Sequence, residues 1–381
     1  MTLIDRFLRY VSIDTQSDAA AEGSPSTEGQ VVLLRLLADE LQQMGAADVR
    51  MDEHGYVTAT VPATRGCEDE PVIGFLAHVD TSPDAPGAGV KPQIIERDGD
   101  TIITSDGTTL LGADDKAGVA EIMTAVEWLL AHPETRHGRV RIAFTPDEEI
   151  SRGVDRFDVE AFGADFAYTV DGGTLGELQY ENFNAAGARV VIRGVSTHPG
   201  DARGKMVNAL RVAGEFDSLL PVDERPETTE GYEGFFHLMR VEGSVAAAEM
   251  EYIIRDHDRV RFEWRKALLE EVAAWLNARH GAGTVTVATE DQYRNMREVL
   301  ELHPEVVERA RRAMRAVGVE PVVVPIRGGT DGARLSFMGL PCPNIFTGGA
   351  DFHSLSESVS VGAMRKAVEV IVEIVIKSGV G

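Results

Sequence analysis

The chain is poor in cysteine: only Cys67 and Cys342 occur, far apart in sequence. A disulfide framework is therefore not expected, and the sparse thiols fit a reducing, cytoplasmic setting. Positive charge is also short, with 37 lysines and arginines against 62 aspartates and glutamates and a formal net charge of −25. That balance argues against a nucleic-acid backbone or an anionic membrane surface as partner, and it reads most simply as solubility. No uninterrupted apolar run approaches the roughly 20 residues that a bilayer span demands. The opening Met1-Thr2-Leu3-Ile4-Asp5-Arg6 places charges where a secretory leader needs an apolar core, so no leader is expected. Internal repeats and low-complexity stretches are missing. The glycine-rich run Arg327-Gly328-Gly329-Thr330-Asp331-Gly332 has neither a Walker lysine nor G-x-G-x-x-G spacing, which argues against a phosphate loop.

What is present is an ordinary globular composition, 43% hydrophobic and 26% charged, over 381 residues, enough for two domains. Residues 30–44 keep apolar groups at helical intervals up to Gly45. Val119, Ile122, Met123, Val126, Leu129 and Leu130 predict a strongly amphipathic helix. Apolar runs ending at Ala77, Thr145 and Val170 predict buried strands between the helices. That alternation implies an α/β fold with a mostly parallel sheet covered on both faces. From about Asn184 the pattern changes: residues 188–193, 249–255 and 284–288 alternate as a sheet with one wet face does. We expect an inserted α+β module at 185–293 and a catalytic domain made of 1–184 and 294–381. The α/β pattern resumes with a helix from Pro304 to Ala316, a strand near Val322 and a closing helix from Gly362.

Metal-capable side chains arrive where these apolar runs stop: His78, Asp114, Glu149, Asp171 and His353. In open α/β sheets ligands bind outside the carboxyl ends of strands, which is where His78, Glu148, Glu149 and Asp171 fall. On a strand His78 and Asp80 point the same way, so Asp80 is placed to accept the second ring N–H of a ligating histidine. Asp114 and Asp115 precede the amphipathic helix. One of them suffices as an N-cap; the other needs a different role, and bridging two cations is one. Asp147-Glu148-Glu149 clusters three acids, which without a cation take up protons or stay in solvent. A solvated turn competes for Asp147. Taken singly, Asp171 reads as a turn residue, and His198 and His353 read as loop histidines. The series histidine, acid, acid, acid, histidine at strand ends fits two divalent cations sharing one carboxylate.

With these residues the chain resembles the M20 metallopeptidase family, in matching stretches at 77–84, 109–118, 144–149, 168–173, 180–186, 198–200, 229–234, 252–256, 325–332 and 335–344. The resemblance implies an α/β metal-binding domain with a mixed sheet flanked by helices, interrupted by a lid that commonly forms a homodimer. It implies an aminopeptidase for short peptides, tripeptides above all, with two Zn2+ (Co2+ or Mn2+ also fitting). His78 and Asp171 would hold one metal, Glu149 and His353 the other, and Asp114 both. Asp80 would orient His78, Glu148 act as general base, His198 stabilise the oxyanion, and Arg255 and Arg327 bind the peptide carboxylate. An amidohydrolase of N-acyl amino acids or dipeptides is the alternative within the family. A silent binding protein on the same fold is disfavoured by the intact Glu148 and ligand set. Two features depart from the family: a shorter segment between Asp80 and Asp114, and Ser354-Leu355-Ser356 after the last histidine where the family has Gly-Lys-His.

Overall fold

His78 and Thr145 end two adjacent strands, Ile73–His78 and Val140–Thr145, whose every residue is buried. In a computed structural model of the chain, which describes residues 1–376, these strands lie at the centre of an eight-stranded mixed sheet. Its order is Ala47–Met51, Val57–Val61, Val140–Thr145, Ile73–His78, Phe166–Gly172, Asn344–Phe346, Glu177–Gln179 and Val322–Val323. The central pairings are parallel, while both pairings of Val57–Val61 and the pairing of Asn344–Phe346 with Glu177–Gln179 are antiparallel. Burial on both faces explains the unbroken apolar runs.

Register brings the site together. Ile73 pairs with Val140 and His78 with Thr145, so the acid cluster beginning at Asp147 emerges beside His78. On the other side Ile73 pairs with Phe166 and Leu76 with Thr169, and two residues further on Asp171 falls level with His78. Helix Glu28–Met44 ends, as its sequence predicts, at a left-handed Gly45. Helix Ala113–Ala131 buries Val119, Ile122, Met123, Val126 and Leu129 against the sheet. A further antiparallel sheet, unforeseen in the sequence, joins Gly349–Ala350, Ser358–Ser360, Asp100–Thr104 and Gln93–Arg97. Among the described residues no helix is long and apolar enough to cross a membrane.

The chain divides into two compact units. One comprises Met1–Tyr180, Met296–Val324 and the chain from Thr330 onward; the other comprises Glu181–Asn295 with Pro325–Gly329. Residues 377–381, assigned to the catalytic domain from the sequence, lie outside the described residues. The short piece 325–329 joins the inserted unit because Ile326 donates its N–H to the Glu181 carbonyl at 2.8 Å and Arg327 binds the 229–233 segment. The inserted unit is a four-stranded antiparallel sheet in the order Phe235–Gly243, Ala247–Asp256, Asn184–Arg193 and Val285–Tyr293. Helices Ala209–Ser218 and Arg259–His280 pack on it around Val190, Ile192, Phe216, Met250, Ile254 and Leu269.

Candidate metal centre

The two histidines face opposite oxygens of one carboxylate. His78 Nε2 lies 2.9 Å from Asp114 Oδ1, and His353 Nε2 lies 3.2 Å from Asp114 Oδ2. Each histidine also meets a second acid. Asp171 Oδ1 is 3.6 Å from His78 Nε2, and Glu149 Oε2 is 3.0 Å from His353 Nε2. The five residues singled out at strand ends thus converge, divided into two sets that meet at Asp114. Ligand atoms of His78, Asp114 and Glu149 lie within 4.8 Å of one another, as do those of His78, Asp115 and Asp171.

Neighbouring groups hold this arrangement. Asp80, fully buried, puts its backbone carbonyl 3.1 Å and its Oδ1 3.3 Å from His78 Nδ1. The same carboxylate accepts the backbone N–H groups of Glu148 at 3.0 Å and Glu149 at 3.1 Å. Asp80 therefore sets a ring and the acid loop together. Asp147 is not a solvated turn residue: it is buried in a left-handed conformation and accepts from Ser26 and from Gln30 Nε2. Asp114 and Asp115 break the helical backbone just inside Ala113–Ala131, and their side chains turn to the histidines rather than to the helix's free N–H groups. Asp114 is instead oriented from behind by Glu357. That carboxylate accepts from the backbone N–H groups of Leu111 at 2.7 Å, Gly112 at 2.8 Å and Asp114 at 3.0 Å. Asp115 Oδ2 accepts the backbone N–H of His78.

The charges do not balance without a cation. Loss of solvent pushes Glu148 well above the usual carboxylate range, raises Asp171, and lifts Glu149 to about 7, with neighbouring carboxylates adding to each shift. Burial would lower His78, but its contacts with Asp114, Asp171 and Asp80 outweigh that and hold it well above its ordinary value. Asp114, then Glu149, raise His353 to about 11. Glu149 Oε1 and Asp115 Oδ1 are buried with no hydrogen-bond partner among the described residues. Acid-rich donors, imidazole nitrogens turned inward and two orphaned carboxylate oxygens fit divalent metal, which removes the repulsion that protons otherwise relieve.

The inserted unit carries the other expected residues. His198 is exposed, and its Nδ1 accepts the Gly200 N–H at 3.2 Å, which leaves Nε2 to carry an N–H. Arg255 is half-buried over the Tyr293 ring, its Nη1 directed at the Ala186 and Ile254 carbonyls. Arg327 sits over Phe183 and Phe235, and its Nη atoms donate to the carbonyls of Gly231, Glu233 and Thr229 and to the Thr229 hydroxyl. Those donors are spent inside the protein, so a substrate carboxylate would have to use Nε or displace a carbonyl.

Sequence reasoning did not single out Asp115 as a ligand-type residue, Glu357 as a support, or Asp331. Asp331 is buried, accepts from the Thr145 hydroxyl, and is raised to about 7 by burial.

Peptidase family M20/M25/M40 matches residues 74–377. Peptidase T of Bacillus licheniformis is 53% identical, covering 98% of this chain and 97% of that protein. Peptidase T of Caldanaerobacter subterraneus subsp. tengcongensis is 54% identical, covering 98% of each. The crystal structure of aminopeptidase PepT from Bacillus cereus superposes with a TM-score of 0.82 at 27% identity, covering 98% of this chain and 97% of that one. The chain belongs to peptidase family M20/M25/M40 and is a peptide hydrolase.

Proposed function

We propose that the chain is a metal-dependent aminopeptidase that releases the first residue of tripeptides. The observation that carries this reading is the division of ligands about Asp114: His78, which also meets Asp171, faces one oxygen, and His353, which also meets Glu149, faces the other. His78 and Asp171 would hold one divalent ion, Glu149 and His353 the second, and Asp114 both. Zinc suits this mixture of imidazole and carboxylate, and cobalt and manganese suit it too. Bound, the ions supply Lewis acidity at a peptide carbonyl and acidify water.

The chain's own residues supply the proton traffic. Glu148, raised in pKa and fixed by its backbone bond to Asp80, takes a proton from the attacking water and returns it to the leaving amine. His198 offers Nε2–H to the oxyanion, and Arg255 binds the peptide carboxylate. The aminopeptidase named for the B. cereus protein supports release of the N-terminal residue. Two buried, unpaired cysteines support a cytoplasmic setting. A homodimer through the inserted unit belongs to the same reading, favoured by exposed Val260, Trp264 and Trp275 on helix Arg259–His280. Sedimentation velocity tests that part directly.

The enzymatic reading is tested with di-, tri- and tetrapeptides, free and N-acetylated, on metal-replete and chelated protein. Metal-dependent release of the first residue from free tripeptides is expected. Efficient cleavage of the acetylated peptides would favour the amidohydrolase alternative. Turnover indifferent to chelation would remove the metal from the mechanism.

A further inference from the structure

The two histidines at Asp114 are oriented from behind by two acids of one segment, and only one of those acids is buried. His78 Nδ1 faces Asp80, as described above. His353 Nδ1 lies 3.3 Å from Asp84 Oδ2. Asp80 and Asp84 both follow strand Ile73–His78, so the same stretch of backbone reaches under one ring and across to the other.

We propose that Asp84 is a positioning residue for His353 and thereby sets the affinity of the metal position that His353 shares with Glu149. This rests on the metal-dependent reading above. An imidazole whose Nδ1–H is taken by a carboxylate presents an unprotonated Nε2, and for His353 that nitrogen is the one facing Asp114 and Glu149. His353 needs such a partner more than His78 does. It sits at φ +58 in a loop where Asp351 is also left-handed, and its side chain is 38% exposed against 3% for His78. Packing fixes the His78 ring. Among the described residues, Asp84 alone meets His353 Nδ1.

The burial difference makes the two positions unequal. The Asp80 side chain is fully buried, whereas that of Asp84 is 70% exposed, so solvent and salt screen the second pairing far more than the first. The Glu149/His353 position is accordingly the looser of the two, and the one that loss of Asp84 weakens.

The test is a titration of metal-free full-length protein with Zn2+ against a competing chelator, analysed for two sites, in wild type, Asp84→Ala and Asp84→Asn. Asp84→Ala should weaken one site by about 10-fold and leave the other unchanged, without shifting the unfolding midpoint of the metal-free protein. Asp84→Asn, whose amide oxygen still accepts from Nδ1–H, should recover part of the loss. Raising salt should weaken that same site in wild type and leave Asp84→Ala nearly indifferent. Two sites of wild-type affinity in Asp84→Ala, or equal weakening of both, would overturn the assignment of Asp84 alone. A wild-type chain that takes up no divalent metal would overturn the functional reading and this inference with it.

Discussion

Glu148 and Glu149 are adjacent in sequence and share an anchor, since Asp80 accepts both of their backbone N–H groups, yet the structure gives them different work. Glu149 meets His353, while Glu148 makes no ion pair among the described residues and is held far above the ordinary carboxylate range by loss of solvent. Replacing Glu148 by Gln keeps shape and backbone bonds and removes only the ability to accept a proton. Turnover should fall by roughly 10²–10⁴-fold, the usual worth of a positioned base, with two metals still bound. Steady-state kinetics beside metal analysis checks this, and a normal kcat would reject Glu148 as the base. Glu357 offers a contrasting case. Its carboxylate accepts three backbone N–H groups, two of them fully buried, and Gln supplies one acceptor oxygen and a donor that none of those groups can use. Glu357→Gln should cost about 2 kcal/mol or more in chemical denaturation and lower metal affinity through Asp114. The acids and histidines that converge were legible because each ends an apolar strand or opens a helix. Glu357, Asp115 and Asp331 were not, because their partners lie on segments distant in sequence and only the fold reveals them.

Metal ligands on different elements stay in register only if the elements do. Helix Ala113–Ala131 carries Asp114 near its start and strand Phe166–Gly172 carries Asp171, and they touch where Gly118 meets the Val170 carbonyl so closely that an added Cβ would overlap it. Asp115 Oδ1 also lies in the path of that Cβ. The carbonyl belongs to a central strand and cannot yield. Gly118→Ala should therefore destabilise the fold by about 3 kcal/mol, the upper range of ordinary overpacking, and weaken metal binding by parting Asp114 from Asp171. Denaturant unfolding and zinc titration together test it; a variant as stable as wild type, with unaltered affinity, would show that the helix moves freely. At this scale the sequence read well where periodicity was strong, as in Val140–Thr145 and Pro304–Ala316, which match their predicted ranges. It failed at the hairpin Gln93–Arg97 and Asp100–Thr104. There the signal was Asp98-Gly99, both at positive φ, a two-residue turn between apolar-bearing strands. The sheet is mixed, as the family resemblance implies; the apolar runs give its parallel centre, while Val57–Val61 runs antiparallel beside Val140–Thr145, a direction that apolar content alone does not encode.

For the molecule as a whole, a net charge of −25 places an acidic protein around a site that itself gathers carboxylates, and metal binding must be read against the protons that otherwise sit there. Without metal, contacts with the surrounding carboxylates raise His353 to about 11 and hold His78 well above its ordinary value, so both rings keep a proton more tightly than a free imidazole does. Metal ligation needs both neutral at Nε2. The sign follows: each proton held more tightly by the metal-free protein must leave on binding, so affinity rises with pH and falls as pH drops. Glu149, raised to about 7, adds a fraction of a proton on the acid side of neutrality. Zinc uptake should therefore release protons from the two histidines and from Glu149, and release more of them at pH 6 than at pH 8. Calorimetry in buffers of differing ionisation heat measures that number directly. The same linkage predicts that activity lost in mild acid returns when zinc is raised at fixed pH, because protons and metal compete for the same nitrogens. Release of no protons, or an acid loss indifferent to zinc concentration, would mean that the histidines are already neutral before metal arrives and that the carboxylates around Asp114 do not govern them.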